Sequence, residues 1–529
     1  MAWRAVQVVA RSKREMSALS SWRLYTYHRS RIAGSLPPAA SRQLTRHVHN
    51  GPRETSNQPS ISSPGSSRPY ATVKAGVAFH NPASPASPST ATPAPPPLSI
   101  LPMPSVLRSL LVTTISSSPI LLGPALGVLS FLANSNSALL DPDRNVGLKC
   151  VLQRSLYDQF CAGETPTEAR KCVQTLKNLG YSGVILGYSK EVVFNGTQEH
   201  SGTCEAALER ENPKQIEAEI AAWKEGTLNT VEIAGDGGFV AVKFTGAGKQ
   251  AIHHLLQGLP PSPALEQATI EICERARALN VRLLIDAEQQ AVQRTIDDWT
   301  IEFQRRYNSS PNRPALVYGT YQAYLRSTPA TLARHMAIAS REGFVLGVKI
   351  VRGAYLGSEP RHLIWATKEE TDWSYDSMAE SLIKQTYGDV LKPYPSLSQT
   401  TETHYPHINL VLASHNRASV QKAQRIRDEQ TRTGQKRIEM AYGQLLGMAD
   451  DISCELLQNG KTAIAPGQLD STVDVDKPKV YKAVVWGSVG ECTKYLLRRG
   501  QENRDATLRT EDTRKAMAKE LRRRLSGCS

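Results

Sequence analysis

The sequence predicts an α/β protein built around a (β/α)8 barrel of the TIM type, with a helical region before it. Short apolar runs recur from residue 239 to residue 487, and they alternate with helical stretches such as 264–280 and 328–342. Uninterrupted apolar runs of this length are typical of buried parallel strands, and about eight strand-then-helix repeats favour a barrel over an open sheet. The predicted strands are 239–244, 281–288, 315–324, 345–355, 408–416, 437–444, 462–465 and 480–487.

The N-terminal part of the chain has the composition of a targeting segment and a linker. Residues 1–50 are rich in arginine and serine and contain a single acidic residue, Glu15. This composition is typical of a mitochondrial transit peptide, with a disordered basic tail as the alternative. Residues 51–104 turn to serine, proline and alanine, which cannot bury enough apolar surface to fold, and therefore predict a disordered linker.

The basic charge of the chain belongs to this N-terminal part. The net charge is +14, and residues 1–140 contain 13 Lys/Arg against two acids, which gives 13 − 2 = +11. The remaining residues therefore carry only 14 − 11 = +3. A basic surface for a nucleic acid is not indicated, and we expect no nucleic-acid partner.

Residues 105–235 are expected to form a mainly helical N-terminal region. Thr165 and Glu168 have the spacing of a capping box at a helix start, and Gly180 is a stop signal for the same helix.

The uncharged stretch 109–140 raises the question of a membrane span. Pro119 and Pro124 interrupt it, and no apolar run reaches the roughly 18 residues that a spanning helix needs. We therefore predict two short buried helices there.

The eight cysteines predict neither a metal site nor a disulfide framework. They include no C-x-x-C pair, and no histidine cluster has the spacing of zinc ligands. We expect free thiols and no structural metal.

Polar residues follow most of the predicted strands, at the end where barrel enzymes place their functional groups. One such residue would be ordinary, but polar groups at six or more strand ends predict a lined pocket. These residues are Lys243, Asp286, Gln322, Arg352, Tyr355, Ser414, His415 and Gln444.

The helix after the last predicted strand contains the sequence YLLRRGQEN. Its Tyr495, Arg498, Arg499 and Glu502 share one face, at i, i+3, i+4 and i+7. Two adjacent guanidinium groups suit a carboxylate or phosphate, because each presents a planar fork of donors. An exposed ion pair between Arg498 and Glu502 is the alternative, but the polar strand ends favour an anion site at the barrel mouth.

No residue pattern supplies the chemistry itself. The sequence contains no P-loop and no nucleophile elbow, and no G-x-G-x-x-G follows a strand. An anion-binding pocket without an evident catalyst indicates that a cofactor performs the reaction.

Six ordered strings carry a family resemblance: LLIDAEQ, YQAYLRST, KIVRGAYLGSE, ASHN, YGQLLGMAD and YLLRRGQEN. Over about residues 105–507 the chain resembles the proline dehydrogenases (proline oxidases) of the mitochondrial, eukaryotic branch. The resemblance implies a distorted (β/α)8 barrel over 236–507 with noncovalent FAD, followed by a charged tail over 508–529. It also implies oxidation of L-proline to Δ1-pyrroline-5-carboxylate, the first step of proline catabolism to glutamate. Electrons would pass to ubiquinone on the matrix side of the inner mitochondrial membrane.

The resemblance also implies roles for individual residues. Arg498 and Arg499 would hold the substrate carboxylate with Lys243 as a third positive contact, and Glu502 would orient the arginines. Asp286, paired with Lys243, and Lys349 are the candidate catalytic residues. The substrate ring would be walled by Tyr355, Leu445 and Tyr495. The flavin contacts would be, from the isoalloxazine to the adenosine, Ala287, Gln322, Lys349, Arg352, Gly353, Ala354, Ser414 and His415.

One departure from the family pattern bears on the substrate. The family has a tyrosine twelve residues before Tyr495, where this chain has Ala483, and relatives that oxidise trans-4-hydroxyproline have a small residue there. Two alternatives therefore stay open beside proline oxidation: a hydroxyproline dehydrogenase, and a catalytically weakened relative that serves as a binding protein. Gly500, inside the last helix, is a smaller departure.

Overall fold

Eight parallel strands close into a barrel in the computed structural model, which describes residues 96–527 apart from 136, 138, 189–211, 396–403, 463–475 and 506. Each strand pairs with its neighbour in chain order, and the last pairs with the first. The predicted transit peptide lies outside the described residues, as does the linker up to residue 95. The strands are β1 Gly183–Tyr188, β2 Phe239–Val242, β3 Arg282–Ile285, β4 Val317–Gln322, β5 Leu346–Val351, β6 Ile408–Ala413, β7 Glu439–Leu445 and β8 Val480–Trp486.

The predicted barrel is confirmed, but its first strand was missed. Seven of the predicted strands match β2 to β8, whereas β1 at 183–188 lies inside the region expected to be helical. Its apolar core is only Val184, Ile185 and Leu186 between two glycines, which is too short to stand out among helices. The barrel therefore begins at residue 183 rather than 236. It also closes without 462–465, since Thr462 ends a helix and 463–475 lie outside the described residues.

Helices precede the barrel in the chain and follow each of its strands. Short 3-10 turns occur at Pro97–Ile100, Phe244–Ala247 and Arg361–Leu363, and a π turn at Gln153–Tyr157 runs into a helical turn at Asp158–Phe160. The helices are α1 Met103–Ser117, α2 Pro119–Asn134, α3 Val146–Leu152, α4 Pro166–Leu179, α5 Pro213–Ala234, α6 Lys249–Gln257, α7 Pro263–Ala278, α8 Gln290–Tyr307, α9 Thr328–Glu342, α10 Lys368–Lys384, α11 Arg417–Arg432, α12 Asp450–Thr462, α13 Val489–Asp505 and α14 Thr507–Leu525.

The predicted signals at the ends of α4 are confirmed. The Thr165 hydroxyl accepts from the Glu168 amide and the Glu168 carboxylate accepts from the Thr165 amide, so both halves of the capping box are present. Gly180 ends the helix at φ 107°, a conformation that favours glycine.

The barrel interior is filled by side chains that alternate along the strands. Phe239, Tyr318 and Tyr481 lie in one buried layer, and the Phe239 and Tyr481 rings meet edge to face at 4.9 Å. Ala241 and Ala483 pack on this layer. Every second side chain along a strand faces the same side of the sheet. The next side chains of this alternation, just beyond the ends of β2 and β3, therefore also face the barrel axis, at its carboxyl end.

The two helices predicted within 109–140 are present as α1 and α2, but the burial predicted for them is only partly correct. Val106 and Val112 of α1 are buried, whereas one face of α2 is open. Among the described residues no single helix is long and apolar enough to cross a membrane. Together α1 and α2 meet that criterion of length and composition, but they join at an angle of 100°.

The described part of the predicted linker and most of the predicted tail belong to the folded structure. Leu98 and Leu101 are buried beside Met517, so the described end of the predicted linker, from residue 96 on, belongs to the folded structure. The segment 508–529 belongs mostly to α14, which packs along α1. The segment was predicted to be a tail because it is highly charged. It nevertheless has a narrow apolar stripe, and Met517 at the centre of that stripe is completely buried.

The described cysteines are free thiols, and no group of three His, Cys, Asp or Glu residues in the described part of the chain is placed to hold a metal ion.

We predict that Met517→Ala lowers the free energy of unfolding by about 2–5 kcal/mol, because a buried methionine is replaced by a cavity. Urea denaturation followed by fluorescence would measure the change. Lys515→Ala, on the exposed side of the same helix, is the matched control and should change stability little. Equal stability of both variants and the parent would mean that α14 is not part of the folded core.

Candidate functional site

A carboxylate held between two lysines lies towards the carboxyl ends of strands β2, β3 and β5. Lys243 follows β2, Asp286 follows β3 and Lys349 belongs to β5. Lys243 Nζ lies 2.9 Å from Asp286 Oδ2, and Lys349 Nζ lies 2.8 Å from Asp286 Oδ1. The three side chains are largely buried, so each ammonium group has its own carboxylate oxygen within a shielded cluster.

The electrostatics of this cluster keep Asp286 ionised. Burial on its own would raise the pKa of Asp286, but the charges and hydrogen bonds of Lys243 and Lys349 outweigh it and hold the pKa well below its ordinary value. The formal charge of the cluster, one carboxylate and two ammonium groups, is +1. Loss of the carboxylate would leave two ammonium groups facing each other, and breaking such a buried pair costs about 3–5 kcal/mol.

Hydrogen bonds fix the backbone that follows Asp286. The buried Glu288 carboxylate accepts from the Thr245 amide at 3.2 Å and from the Thr245 hydroxyl. Gln322 at the end of β4 donates its amide to the Glu288 carbonyl at 3.2 Å and accepts from the Ala354 amide at 3.0 Å. Gln322 therefore joins the loop that contains Ala287 to the loop after β5.

Arg352, directly after β5, is held by three side chains. Its Nε donates to Asp372 at 2.7 Å, and its two terminal nitrogens donate to the Ser414 hydroxyl at 2.6 Å and the Ser419 hydroxyl at 2.8 Å. Its guanidinium carbon also lies 4.4 Å from the centre of the Tyr375 ring. The side chain is fixed in orientation, and two of its five N–H groups take no part in these bonds.

The loop after Arg352 requires glycine at its first position. Gly353 has φ 152°, and a Cβ atom there would lie 2.3 Å from the Tyr324 ring. Gly353 and Ala354 are exposed, while Tyr355 turns inward and is buried. The loop therefore offers open backbone beside a fixed guanidinium group.

His415 and Ser414 organise the ends of β6 and β7. His415 Nε2 accepts from the Leu445 amide at 3.0 Å, which leaves the proton of a neutral ring on Nδ1. The Ser414 hydroxyl accepts from the Asn416 amide at 3.0 Å as well as from Arg352. His415 thus fixes the backbone at Leu445, a residue expected to wall the substrate.

Tyr495 and Arg499 form a second group, on α13. Both are buried, and the Arg499 guanidinium carbon lies 4.9 Å from the centre of the Tyr495 ring. Arg498 and Glu502 are helical, but their side chains lie outside the described part of the structure. Whether this face meets the Asp286 cluster stays a prediction.

Several site residues were missed by reasoning from the sequence. Asp372 and Ser419, which hold Arg352, lie on α10 and α11, and Gln293 on α8 accepts from the Glu288 amide at 2.6 Å. Polar residues on amphipathic helices resemble solvent-facing positions, so no sequence signal distinguishes them. Asp372 belongs to α10, which lies in the long connection between β5 and β6.

Asp297 on α8 is a titrating carboxylate beside this site. It accepts from Gln293 at 2.7 Å and lines a cavity of about 30 Å³ that Ala287 and Gln322 also line. Burial raises the pKa of Asp297 to about 7, although the Gln293 hydrogen bond and the charge of Arg334 act in the opposite direction.

The fold and the site define a barrel enzyme with a cationic centre at the carboxyl ends of its strands. A family model described as proline dehydrogenase matches residues 169–512, and the chain belongs to that family of oxidoreductases.

Some of the curated relatives are named proline dehydrogenase and others hydroxyproline dehydrogenase. A probable mitochondrial proline dehydrogenase of Schizosaccharomyces pombe is 29% identical over 464 residues, which cover 80% of this chain and 88% of that protein. A hydroxyproline dehydrogenase of Bos taurus is 29% identical and covers 71% and 82%. The mitochondrial proline dehydrogenase 1 of Homo sapiens is 32% identical, with 48% and 38% covered.

We predict that Asp297 makes stability depend on pH near neutrality. Its folded pKa of about 7 lies above the ordinary value of 3.8, so its contribution is complete below about pH 4 and is lost as the pH rises through 7. Thermal unfolding of the parent and of Asp297→Asn should therefore diverge by about 2–3 kcal/mol between pH 5 and pH 8, with the parent losing stability. Thr331→Ser, at a residue that lines the same cavity and does not titrate, is the control and should follow the parent at every pH. Parallel pH profiles for the parent and Asp297→Asn would contradict the prediction.

Proposed function

We propose that this protein is an FAD-dependent dehydrogenase that oxidises L-proline to Δ1-pyrroline-5-carboxylate and delivers the electrons to ubiquinone. It would act on the matrix side of the inner mitochondrial membrane, in the first step of proline catabolism to glutamate. The observation that carries the proposal is the Lys243–Asp286–Lys349 cluster at the strand ends of a chain in the proline dehydrogenase family.

The residues at the strand ends fit a noncovalent flavin nucleotide. Arg352 has two N–H groups outside its three hydrogen bonds, which suits a phosphate oxygen, and Gly353 and Ala354 provide exposed backbone beside it. Ala287 and Gln322 would contact the isoalloxazine, and Ser414 and His415 the adenosine end. Bound FAD supplies the two-electron acceptor for the reaction. Lys349 would place a positive charge near that acceptor.

The substrate would be held by its carboxylate and enclosed around its ring. Arg498 and Arg499 would clasp the carboxylate, Lys243 would add a third positive contact, and Glu502 would orient the two guanidinium groups. Tyr355, Leu445 and Tyr495 would exclude water from the ring. Oxidation removes a hydride from the ring carbon beside nitrogen and a proton from the nitrogen, which leaves a carbon–nitrogen double bond. Anchoring the carboxylate fixes the distance that hydride transfer requires.

Asp286 and Lys349 would act as the polar centre of the site. Because Lys243 and Lys349 keep Asp286 ionised, the carboxylate of Asp286 holds both ammonium groups in place while the carboxylate of the substrate enters. With Asp286 absent, mutual repulsion would separate the lysines.

The mitochondrial location is supported by the arginine-rich residues 1–50 and by the names of the relatives. The relatives from Schizosaccharomyces pombe and Caenorhabditis elegans are both named as mitochondrial proline dehydrogenases.

A second candidate substrate is trans-4-hydroxy-L-proline, and Ala483 is the observation that favours it. Ala483 packs on the interior layer of the barrel and lies in register with Leu445 on one side and Ile185 on the other. A methyl group at this position leaves room beside the ring that a phenol would fill. Relatives named hydroxyproline dehydrogenase match most of this chain. A catalytically weakened binding protein is the remaining alternative.

We predict that L-proline bleaches the flavin of the purified protein under anaerobic conditions. Separate titrations with L-proline and trans-4-hydroxy-L-proline would give the concentration at which half of the flavin is reduced. Bleaching at lower proline concentration supports the main proposal, and the opposite order supports the hydroxyproline enzyme. Bound flavin that neither compound bleaches would indicate the weakened relative.

We predict that Ala483→Tyr shifts the preference towards L-proline by at least about ten-fold, since filling a pocket next to a ring substituent is worth roughly 1–3 kcal/mol. The ratio of kcat/KM for the two compounds measures the shift. Ala413→Ser, at the end of β6, which is separated from β8 by one strand, serves as the control for a general disturbance of the barrel end. An unchanged ratio in Ala483→Tyr would remove Ala483 from the specificity argument.

A further inference from the structure

One face of α2 is exposed and entirely apolar. Ile120 is 82% exposed, Leu121 48%, Val128 60% and Phe131 64%. The other exposed positions of this helix are glycine, proline and alanine, and the sequence from 109 to 140 contains no charged residue before Asp141. An open face of this kind on a folded protein marks a surface that meets an apolar partner.

Exposed apolar side chains are concentrated around this helix. Among the described residues, fourteen large hydrophobic side chains are exposed, and nine of them lie between residues 107 and 151. A chance distribution over the surface would not place them in one short stretch. The nine are Leu107, Leu111, Ile120, Leu121, Val128, Phe131, Leu139, Val146 and Val151.

The opposite side of α2 is fixed to the protein. Leu129 and Leu132 are buried in the cluster that contains Tyr495. Leu126 lies against Gly500, where a Cβ atom would come within 2.5 Å of its Cδ2. The helix is therefore a rigid support for its open face rather than a loosely attached segment.

A basic helix packs along the helix that precedes the apolar face in the chain. The helix α14 packs along α1, the helix that precedes α2, and its exposed Lys515, Lys519 and Arg522 are spaced i, i+4 and i+7 on one side. The whole of α14 contains seven Lys/Arg against three acids, a net charge of +4. An apolar helix face with basic residues beside it is the pattern of proteins that lie in the interface of an anionic bilayer.

We propose that the apolar face of α2, together with the basic side of α14, docks the protein on the surface of an anionic lipid bilayer without crossing it. The 100° angle between α1 and α2 fits a helix that lies in the interface and not one that spans. The proposal rests on the proposed function in one respect, since delivery of electrons to ubiquinone requires contact with a bilayer.

Charge disfavours the two other occupants of this face. Residues 1–95 contain 12 Lys/Arg and two acids, a net charge of 12 − 2 = +10, so this segment would be repelled by the basic side of α14. A second copy of the chain would bring a second basic helix of the same sign to the interface. Anionic lipid headgroups are complementary to the charge and to the apolar face at the same time.

Flotation of the full-length protein with lipid vesicles tests the proposal. Phosphatidylcholine vesicles containing phosphatidylglycerol should bind the protein, and vesicles of phosphatidylcholine alone should bind it several-fold less. The double change Val128→Ser and Phe131→Ser should reduce binding at least ten-fold. Leu259→Ser and Trp373→Ser together, at exposed apolar positions elsewhere, are the matched control and should leave binding unchanged.

The charge contribution has its own pair of variants. Lys515→Gln with Lys519→Gln should remove most of the preference for phosphatidylglycerol, while Lys436→Gln, at another exposed lysine, should not. Equal binding by the parent and the Val128/Phe131 variant would overturn the proposal. Resistance of the bound protein to extraction at alkaline pH would also overturn it, by indicating a spanning segment.

Two further outcomes identify the other occupants. A dimer that the Val128/Phe131 change dissociates in the absence of vesicles would assign the face to a second copy. Vesicle binding that appears only after removal of residues 1–95 would assign it to that segment. Flavin bleaching by L-proline needs no vesicles, and the α2 variants should retain it. Failure of docking is thereby distinguished from failure of the proposed reaction.

Discussion

The pairing of β1 with β8 is the constraint on which the site depends. Six registered residue pairs, from Gly183 with Tyr481 to Tyr188 with Trp486, close the sheet on itself. A closed parallel barrel has all its carboxyl ends at one rim, so side chains far apart in sequence must meet there. Lys243, Asp286 and Lys349 span 107 positions of the chain and still form one cluster within hydrogen-bonding distance. In an open sheet, the same strands would not enclose a common interior.

The sequence was sufficient for the parts of the fold that repeat. Long apolar strands such as β5 and helices with caps such as α4 have local signals, and their positions were predicted within a few residues. Strand β1 was missed because its apolar core is three residues long, and α14 was missed because seven basic residues mask its buried stripe. Both elements are stabilised mainly by their partners, β8 and α1, and partners at great sequence distance leave no local pattern.

The candidate site, like the fold, has one part that the sequence predicted and one part that it did not. The cluster around Asp286 follows from strand positions, because Lys243 and Asp286 lie just beyond strand ends and Lys349 lies within β5. The supporting side chains that the sequence did not reveal come from helices: Asp372 and Ser419 hold Arg352, and Gln293 holds the backbone at Glu288. A sequence predicts which residues can do chemistry better than it predicts which residues keep them still.

The contact between Gly500 and Leu126 has a consequence for how this protein can vary. Gly500 directly follows Arg499 on α13, and any larger residue there would displace the Leu126 side chain of α2. The two positions are therefore not independent during divergence. A lineage that acquires alanine at 500 gains helix propensity worth about 1 kcal/mol, but it must accept a rearranged or smaller residue at 126. Homologous chains should thus show paired substitutions at these positions. The sequence of the outer helix α2 would then change together with the residue that follows the two arginines of α13.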